Sequence, residues 1–335
     1  MNYVELGKTG LRISYLGLGG IPIQKCSEDG VKALMQKVHQ EGINFIDSAR
    51  GYTVSEALIG EAISGMREDF ILATKSMART YEEMKRDIGI SLHQLKTEVI
   101  ELYQVHNPGI ADLEKVCGKG GALEALLEAK AEGKILHLGL TAHSLEVFEK
   151  ALSLPWAETI MFPYNIVEAQ GAQLIKECKE KGIGFICMKP LAGGAIENSF
   201  LALRYIRQNP SVTVIIPGMY DEEEVDKNCL AIASPEALNQ EEIVGIEKIK
   251  ASLGTHFCRR CNYCQPCPQQ INISGCFLFE GYLSRYGLED WARERYKAMP
   301  VKASACIKCG ICETKCPYQL PIREMLKKCA QEFGE

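Results

Sequence analysis

The chain has 335 residues, and its 46% hydrophobic and 24% charged residues are typical of a packed globular protein rather than a disordered one. The net charge of −5 excludes the basic surface that nucleic-acid binding needs. The sequence contains no apolar run of the ~18 residues a membrane span requires, and residues 1–10 lack the order of a signal peptide, so we expect a cytoplasmic protein without nucleic-acid or membrane partners.

The 15 cysteines are unusual for such a protein, and their distribution divides the chain. Five lie in the first 257 residues and ten in the last 78. Because a reducing compartment disfavours disulfides, clustered cysteines there are more typical of metal ligands. The change in composition near His256 predicts a first domain over 1–255 and a second over 256–335.

The first domain repeats one unit, in which a short β-branched run precedes a turn and an amphipathic helix. Ser27 is the predicted N-cap of the first helix, and Thr80 with Glu83 forms a predicted capping box ahead of another. Eight units of this size predict an α/β fold, the (β/α)8 TIM barrel. A doubly wound open sheet is the alternative, although no GxGxxG follows the first strand. The predicted strands are 13–18, 44–47, 70–74, 100–105, 135–140, 159–162, 184–188 and 212–216.

Polar side chains follow three neighbouring predicted strands of this barrel. Asp47 and Tyr52 follow the second strand, Lys75 the third and His106 the fourth. Active sites of such barrels lie at the carboxyl ends of the strands. One histidine or lysine at a strand end is more often structural, but four such residues at one mouth indicate a catalytic site.

This set resembles the motif of the aldo-keto reductases, in which a tyrosine follows an aspartate by five residues and a lysine and a histidine end the next two strands. The resemblance covers residues 1–235, including 190–194 and 216–218 after the last two strands. It implies that a nicotinamide hydride adds to the carbonyl of a small-molecule carbonyl or alcohol substrate while Tyr52 protonates the oxygen.

The roles that this resemblance implies have a physical basis. A tyrosine with a pKa near 10 donates a proton poorly at neutral pH unless its anion is stabilised. We expect Lys75 to favour the phenolate of Tyr52, and Asp47 to keep that lysine charged and oriented. We expect His106 to hydrogen-bond the substrate oxygen.

The sequence departs from the family pattern at the nicotinamide site. Residues 139–143 (GLTAH) stand where a Ser-Asn pair is usual, and Met161 and Met188 replace the usual glutamine and stacking aromatic residue. Glycines in the last two loops would let backbone amides approach the dinucleotide phosphates, although glycines that merely turn the chain are as good an explanation. The expected cofactor-binding residues are Thr141, His143, Asn165, Lys189, Leu191, Gly193, Gly194, Gly218 and Asn228.

Four consecutive carboxylates at 221–224 bear on the choice of nicotinamide. NADPH-using relatives carry a Lys-Ser and then an arginine in this region. Carboxylates would repel a 2′-phosphate, so we expect NADH rather than NADPH. The alternative is that some of these acids stabilise a helix N-terminus.

Two cysteine runs dominate the second domain, C-x2-C-x2-C-x2-C-P from Cys258 and C-x2-C-x2-C-x3-C-P from Cys306. The second matches the bacterial ferredoxin signature, whose fourth cysteine ligates the other cluster. Paired zinc sites are the alternative, but they usually have two separated CxxC pairs. We therefore predict two 4Fe-4S clusters, one ligated by Cys258, Cys261, Cys264 and Cys316 and the other by Cys306, Cys309, Cys312 and Cys267.

The 38 residues between the runs are too many for a compact hairpin ferredoxin, and 277–299 is predicted to be largely helical. The domain resembles the mainly α-helical ferredoxin domains of electron-transfer subunits. The remaining cysteines of the barrel are expected to be small core residues: Cys26, Cys117, Cys178, Cys187 and Cys229. Cys276 and Cys329 have no predicted role.

Three functions stay open. The favoured one is an NAD(P)-dependent carbonyl or alcohol oxidoreductase whose clusters are structural or regulatory. In the second, the clusters pass single electrons to or from a flavin or a substrate in the barrel. In the third, the chain is an electron carrier that docks on a partner protein. The intact catalytic set disfavours the third, and the departures at Met161 and Met188 keep the second open.

Overall fold

The computed structural model describes residues 1–234 and 236–335, and no helix in these ranges has the length and hydropathy to cross a bilayer. The strands are β1 (Tyr3–Glu5), β2 (Arg12–Ser14), β3 (Leu18–Gly19), β4 (Phe45–Asp47), β5 (Ile71–Ser76), β6 (Ile100–Val105), β7 (Ile135–Thr141), β8 (Thr159–Pro163), β9 (Gly184–Met188) and β10 (Val214–Ile216). The helices are α1 (Glu28–Gln40), α2 (Ser55–Ala62), α3 (Tyr81–Gln94), α4 (Ile110–Cys117), α5 (Ala122–Ala131), α6 (Leu145–Ala151), α7 (Ala172–Lys181), α8 (Ser199–Arg207), α9 (Glu222–Ala233), α10 (Gln240–Leu253), α11 (Ile273–Ser284), α12 (Glu289–Lys297), α13 (Ile311–Thr314) and α14 (Ile322–Glu332).

The strands from β3 to β10 form one parallel sheet that closes on itself. Each strand pairs with the next in chain order, and isolated bridges join Leu16 to Ile215 and Gly19 to Gly218. The Gly19 amide donates to the Pro217 carbonyl at 2.8 Å, and a Cβ at Gly19 would lie only 2.9 Å from the Ile216 carbonyl oxygen. The predicted (β/α)8 barrel is confirmed, and the doubly wound alternative is excluded because its outer strands would not meet.

The prediction for the first strand was wrong in its bounds. Residues Arg12–Ser14 pair antiparallel with Tyr3–Glu5, and the pairing with barrel strands begins at Leu16, which bridges Ile215, and continues in β3. The hairpin places Leu6 and Ile13 among the side chains that fill the barrel, including Phe45. Without the hairpin, the amino-terminal end of the barrel would expose those apolar side chains to solvent. The hairpin therefore covers this end of the barrel and is not one of the barrel strands.

The predicted helix starts in the barrel are confirmed. The Ser27 hydroxyl accepts from the Gly30 amide at 3.2 Å ahead of α1. Thr80 and Glu83 form the expected capping box ahead of α3. These contacts satisfy amides that have no partner within their own helix, which is why short polar side chains mark the positions in the sequence.

The second domain is mainly helical, as predicted, but 277–299 is not one helix. α11 ends at Ser284 and α12 begins at Glu289, because Gly287 adopts a left-handed conformation with a φ of 63°. Apolar side chains of α11, α12 and α14 pack with several cysteines in a small separate core. The second domain thus has its own hydrophobic core.

The two cysteine runs fold into loops with the same backbone pattern. The residues before and after the second cysteine have positive φ in both: Arg260 and Asn262 in the first run, Lys308 and Gly310 in the second. The third residue after the last cysteine of each run, Gln270 or Gln319, also has a positive φ. The loops are therefore structural repeats, although the first run is one residue shorter.

The cysteines outside these runs lie mostly in apolar surroundings. Cys178 and Cys187 are buried, and Cys26 and Cys229 are half-buried. The prediction was wrong for Cys117, which is exposed at the last position of α4. The two unassigned cysteines are buried in the core of the second domain, where the Cys329 thiol donates to the Cys276 carbonyl at 3.4 Å.

Candidate active site

A buried ion pair lies at the carboxyl end of the barrel. Lys75 on β5 contacts the Asp47 carboxylate at the end of β4, and its Nζ also donates to the Ser48 carbonyl at 2.7 Å. Gln104 donates to the second Asp47 oxygen at 3.1 Å. Burial lowers the pKa of Lys75 and raises that of Asp47, while the charge of each partner opposes the shift of the other. With this hydrogen bonding we assign both groups their charged forms.

Tyr52 and His106 lie directly over this pair, so the structure brings the four predicted catalytic residues together. The Lys75 Nζ is 4.8 Å from the centre of the Tyr52 ring, and the Tyr52 and His106 rings meet edge to face with centroids 6.2 Å apart. Burial, and then the Asp47 charge, raise the pKa of Tyr52 well above its usual value. The charge of Arg295 opposes this shift, but burial and Asp47 favour the protonated phenol.

His106 is a neutral imidazole at this site. Its Nδ1 is buried without a hydrogen-bond partner in the described part of the chain. Burial, followed by the charges of Lys75 and Arg79, holds the pKa of His106 well below its usual value. A neutral ring has one N–H donor and one acceptor nitrogen, and the donor suits a substrate oxygen.

The lowered pKa of His106 predicts that acid reduces the free energy of unfolding. The folded state keeps the ring neutral while the unfolded chain binds a proton below about pH 6.5, so stability falls as the pH drops from that value toward the folded pKa. The variant His106→Gln should lose less stability over this range, by up to about 1.4 kcal/mol per pH unit. Denaturant unfolding followed by circular dichroism from pH 7 to 5 measures the difference. The exposed His93→Gln is the matched control and should keep the wild-type pH dependence.

A cavity opens above the catalytic residues at the carboxyl ends of the strands. Met161 and Met188, the two departures from the family pattern, lie in its apolar wall beside Asp47 and Tyr52. Loops after β3, β9 and β10 form the rest of the barrel side of the cavity. Their lining residues include Gly20, Ile21, Pro22, Lys25, Lys189, Pro190, Leu191, Gly193, Gly194, Gly218, Tyr220 and Glu224.

Five of the nine expected cofactor-binding residues line this cavity: Lys189, Leu191, Gly193, Gly194 and Gly218. The two neighbouring glycines have φ values of 66° and 79°, a conformation that side-chain-bearing residues rarely adopt. The Lys189 ammonium has no carboxylate partner within the described residues. Burial, followed by the charge of Arg260, holds the pKa of Lys189 well below its usual value. This part of the loop after β9 therefore offers an anion backbone amides and an amine whose charged form the anion would favour.

The other four expected residues are engaged elsewhere. The Thr141 hydroxyl accepts from the Asn107 amide at 2.9 Å, and the His143 ring lies 3.0 Å from the Asn107 side-chain oxygen. Asn165 donates to Glu168 and to the Lys189 carbonyl and accepts from two backbone amides, which uses its whole hydrogen-bonding capacity. Asn228 is buried on α9. Thr141, His143 and Asn165 therefore bond to neighbouring loops, and none of the four is among the residues that line the cavity.

The carboxylates at 221–224 serve the helix and the cavity at once. Asp221 caps α9 by accepting from the Glu224 amide at 2.9 Å, so the helix-stabilising alternative holds for this residue. Glu223 points to solvent and pairs with Lys227 at 2.6 Å. Glu224 lines the cavity, near Tyr220 and Lys25, and accepts from the Tyr220 amide at 2.9 Å. One of the four carboxylates thus faces the cavity directly.

The second domain also contributes to the mouth of the barrel, which the sequence analysis missed. Arg285 donates to the Gly193 carbonyl at 3.1 Å, and Tyr286 lines the cavity. Arg295 donates to the Gly51 carbonyl at 3.2 Å, next to Tyr52, and Arg260 pairs with Glu168 at 2.6 Å. No local pattern marks these residues, because their partners are 92 to 244 positions away.

The eight cysteines of the two runs line two cavities in the second domain. One cavity is lined by Cys258, Cys261, Cys264 and Cys316. The other is lined by Cys267, Cys306, Cys309 and Cys312. This grouping is the exchanged one expected from the ferredoxin signature. Among residues 1–234 and 236–335, no three His, Cys, Asp or Glu side chains are arranged to hold a single metal ion.

Comparison with known proteins identifies relatives of both parts. The profile described as the Aldo/keto reductase family matches residues 15–201, and that of a 4Fe-4S dicluster domain matches residues 257–321. L-galactose dehydrogenase of Arabidopsis thaliana is 25% identical over 297 residues, which cover 73% of this chain and 92% of that protein. NADH-specific methylglyoxal reductase of Escherichia coli is 25% identical over 227 residues, covering 58% of this chain and 69% of its own. The solved structure of aldo-keto reductase AKR11C1 from Bacillus halodurans aligns with a TM-score of 0.64 at 25% identity, covering 74% of this chain and 96% of that one.

Proposed function

Because the chain belongs to the aldo/keto reductase family, we propose that it transfers hydride between a nicotinamide cofactor and a small carbonyl or alcohol substrate, with Tyr52 as the proton donor. The observation that carries this proposal is the convergence of Asp47, Tyr52, Lys75 and His106 at the cavity floor. The first test is whether the purified protein oxidises NADH when a small aldehyde or ketone is added under anaerobic conditions. Failure with a broad carbonyl panel, and of the reverse reaction with alcohols, would contradict it.

Each catalytic residue has one physical task in this proposal. When bound, the nicotinamide supplies the hydride. Tyr52 gives its proton to the substrate oxygen, and the adjacent ammonium of Lys75 stabilises the phenolate that remains. Asp47 keeps Lys75 charged in a buried position, and His106 donates a hydrogen bond that holds the oxygen as negative charge develops.

The cofactor would lie along the cavity with its phosphates toward the loops after β9 and β10. Gly193, Gly194 and Gly218 place backbone there without side chains, and a bound phosphate would favour the charged form of the Lys189 amine. Met161 and Met188 would give the nicotinamide ring an apolar wall. They stand where the family usually has a glutamine and a stacking aromatic residue. The carboxylate of Glu224 supports NADH as the preferred cofactor, since it would repel a 2′-phosphate near it.

Removing this carboxylate should shift the cofactor preference. We expect Glu224→Gln to raise kcat/KM for NADPH relative to NADH by about 5- to 10-fold, because one negative charge leaves the cavity. Steady-state rates with each cofactor at one fixed aldehyde concentration measure the ratio. Glu223→Gln removes the neighbouring carboxylate that pairs with Lys227 outside the cavity, and it should leave the ratio within about twofold. Equal shifts in both variants, or no shift in either, would contradict the assignment.

We further propose that the eight cysteines hold two 4Fe-4S clusters and that the first lies close enough to the barrel to act with it. The first cysteine loop docks on the barrel mouth, where Arg260 pairs with Glu168 and Arg259 donates to the Val167 carbonyl at 3.1 Å. This docking favours, as a second candidate, a reaction in which the clusters exchange single electrons with a group in the barrel.

An anaerobic visible spectrum before and after NADH addition separates the two candidates. Loss of the cluster absorbance on adding NADH supports electronic coupling, and a flavin released on denaturation would identify the group that divides the electron pair. An unchanged cluster spectrum during NADH-dependent carbonyl turnover supports the first candidate, with structural or regulatory clusters. Reduction of the clusters by a ferredoxin partner without barrel turnover would instead support an electron carrier.

A further inference from the structure

We propose that Arg295, on α12 of the iron–sulfur domain, binds an acid group of the substrate, so that the enzyme acts on oxo acids or hydroxy acids rather than on neutral carbonyl compounds. This inference rests on the proposed carbonyl chemistry and names its substrate class. It assigns a substrate contact to the second domain, which follows the barrel in the sequence.

Arg295 is placed at the mouth by packing and has spare donors. Its guanidinium lies 4.4 Å from the centre of the Trp291 ring and donates once, to the Gly51 carbonyl at 3.2 Å. Gly51 directly precedes Tyr52. A guanidinium has five N–H donors, and Nε of Arg295 is buried with no acceptor among the described residues. A buried charged donor without a partner is costly, which a ligand oxygen would relieve.

The charges around the mouth leave Arg295 uncompensated. Four acids around the mouth each contact one cation: Asp47 with Lys75, Glu56 with Arg50, Glu168 with Arg260 at 2.6 Å, and Asp112 with Arg79 at 3.2 Å. Glu224, beside the loop after β10, is the acid of the cavity wall without such a partner in the described part of the chain. Within residues 1–234 and 236–335, neither Lys189 nor Arg295 has a carboxylate within salt-bridge distance. On its side of the mouth the Arg295 guanidinium therefore has no carboxylate partner, which suits an anionic ligand.

Lys189 and Arg295 lie beside loops on different sides of the barrel mouth. Lys189 belongs to the loop with Gly193 and Gly194, where the dinucleotide phosphates are expected. Arg295 lies over the loops after β4 and β5. A Cβ placed on Gly51 would lie 3.7 Å from the Arg295 Nη2 and 3.6 Å from the Cε of the exposed Met77. If the cofactor occupies the part of the mouth beside Lys189, the part beside Arg295 is open to the substrate. Planar guanidinium groups bind carboxylates in a bidentate manner, which would also orient the carbonyl toward Tyr52.

The first experiment compares aldehydes that differ only in the acid group. Succinic semialdehyde and 5-oxopentanoate are each paired with a neutral aldehyde of the same chain length, butanal and pentanal. We expect the wild-type protein to prefer at least one acid over its neutral partner by about 10-fold or more in kcat/KM. Equal rates within both pairs would overturn the proposal without any variant.

The second experiment removes the guanidinium. Arg295→Met should raise KM for the preferred oxo acid about 10- to 100-fold more than it raises KM for the neutral aldehyde of the same length, and Arg295→Lys should recover part of the acid preference. Arg293→Met is the matched control, because Arg293 lies on the same helix and pairs with Glu289 on the outer surface. It should keep the wild-type preference. Equal losses for acid and neutral aldehyde in Arg295→Met would assign Arg295 only a role in docking the domains, and would overturn the proposal.

A binding measurement separates this proposal from the proposed catalytic function. Succinate cannot react, and its binding beside Trp291 should change tryptophan fluorescence in the wild type but not in Arg295→Met. If no aldehyde is turned over yet succinate binds in an Arg295-dependent manner, the carbonyl chemistry fails and the acid site stands. If neutral aldehydes are reduced in a Tyr52-dependent manner and succinate does not bind, the catalytic function stands and the acid site fails.

Discussion

Replacing Tyr52 with phenylalanine is expected to lower kcat for carbonyl reduction by about 10³-fold, with little change in cofactor binding. The variant keeps the ring that packs against His106 and Lys75. It lacks the phenol hydroxyl whose proton would be transferred to the substrate. The iron content and visible spectrum should equal those of the wild type, because no cysteine is among the described residues that line the cavity with Tyr52. Single-turnover kinetics with NADH and a saturating aldehyde measure the chemical step.

The raised pKa of Tyr52 also predicts how the two directions of the reaction depend on pH. Burial and the Asp47 charge keep the phenol protonated through the neutral range, so the acid needed for reduction is present from pH 6 to 9. Alcohol oxidation needs the phenolate, and its rate should increase as the pH rises toward the tyrosine pKa. A reduction rate that instead falls between pH 6 and 8 would contradict Tyr52 as the titrating donor.

Tyr286 provides the sharpest control for this prediction. It is a second phenol in the same cavity, supplied by the iron–sulfur domain, but the described residues place no ammonium over its ring. We expect Tyr286→Phe to keep activity within about threefold of the wild type. A loss in Tyr286→Phe as large as that in Tyr52→Phe would mean that the second phenol also takes part in proton transfer.

Replacing Cys316 with serine should remove the cluster held by the first cysteine run. Cys316 ends the second run in the sequence but lines the cavity of Cys258, Cys261 and Cys264. Cluster assembly depends on four thiolates, so we expect iron to fall from about eight to about four atoms per chain. Iron analysis and electron paramagnetic resonance of the reduced protein measure the loss and identify the cluster that remains.

Two double variants decide between exchanged and unexchanged ligand sets. With exchange, Cys316→Ser and Cys309→Ser remove ligands of different clusters, so the double variant should lose both. Cys316→Ser with Cys258→Ser removes two ligands of one cluster, so it should retain about four iron atoms. The opposite result, with one cluster retained in the first double variant and none in the second, would show that each run holds its own cluster.

The barrel and the grouping of its four candidate catalytic residues could be predicted from the sequence because the signals are local. Strand periodicity and helix caps such as Ser27 and Thr80 mark elements through contacts within a few residues. Asp47, Tyr52, Lys75 and His106 could be grouped because parallel strands deliver their carboxyl ends to one face. The split of 13–18 could not be predicted, since it depends on the apolar barrel end that the hairpin covers.

The expected cofactor residues show the limit of the same reasoning. Thr141 and Asn165 follow the expected strands, but their hydrogen bonds are taken by Asn107, Glu168 and the Lys189 carbonyl. A polar side chain in a loop has many possible partners, and the sequence does not say which it meets. The same holds for the charge of Lys75, whose effect on Tyr52 depends on how completely Asp47 balances it.

By itself, the sequence determined the two-domain organisation, the barrel, the four catalytic candidates and the eight cysteines, because each depends on spacing along a strand, a helix or a loop. Only the tertiary structure decided that the iron–sulfur domain covers the barrel mouth and places Arg285, Tyr286 and Arg295 there. Those contacts join residues as much as 244 positions apart, and they follow from how two folded surfaces fit, which no local pattern encodes.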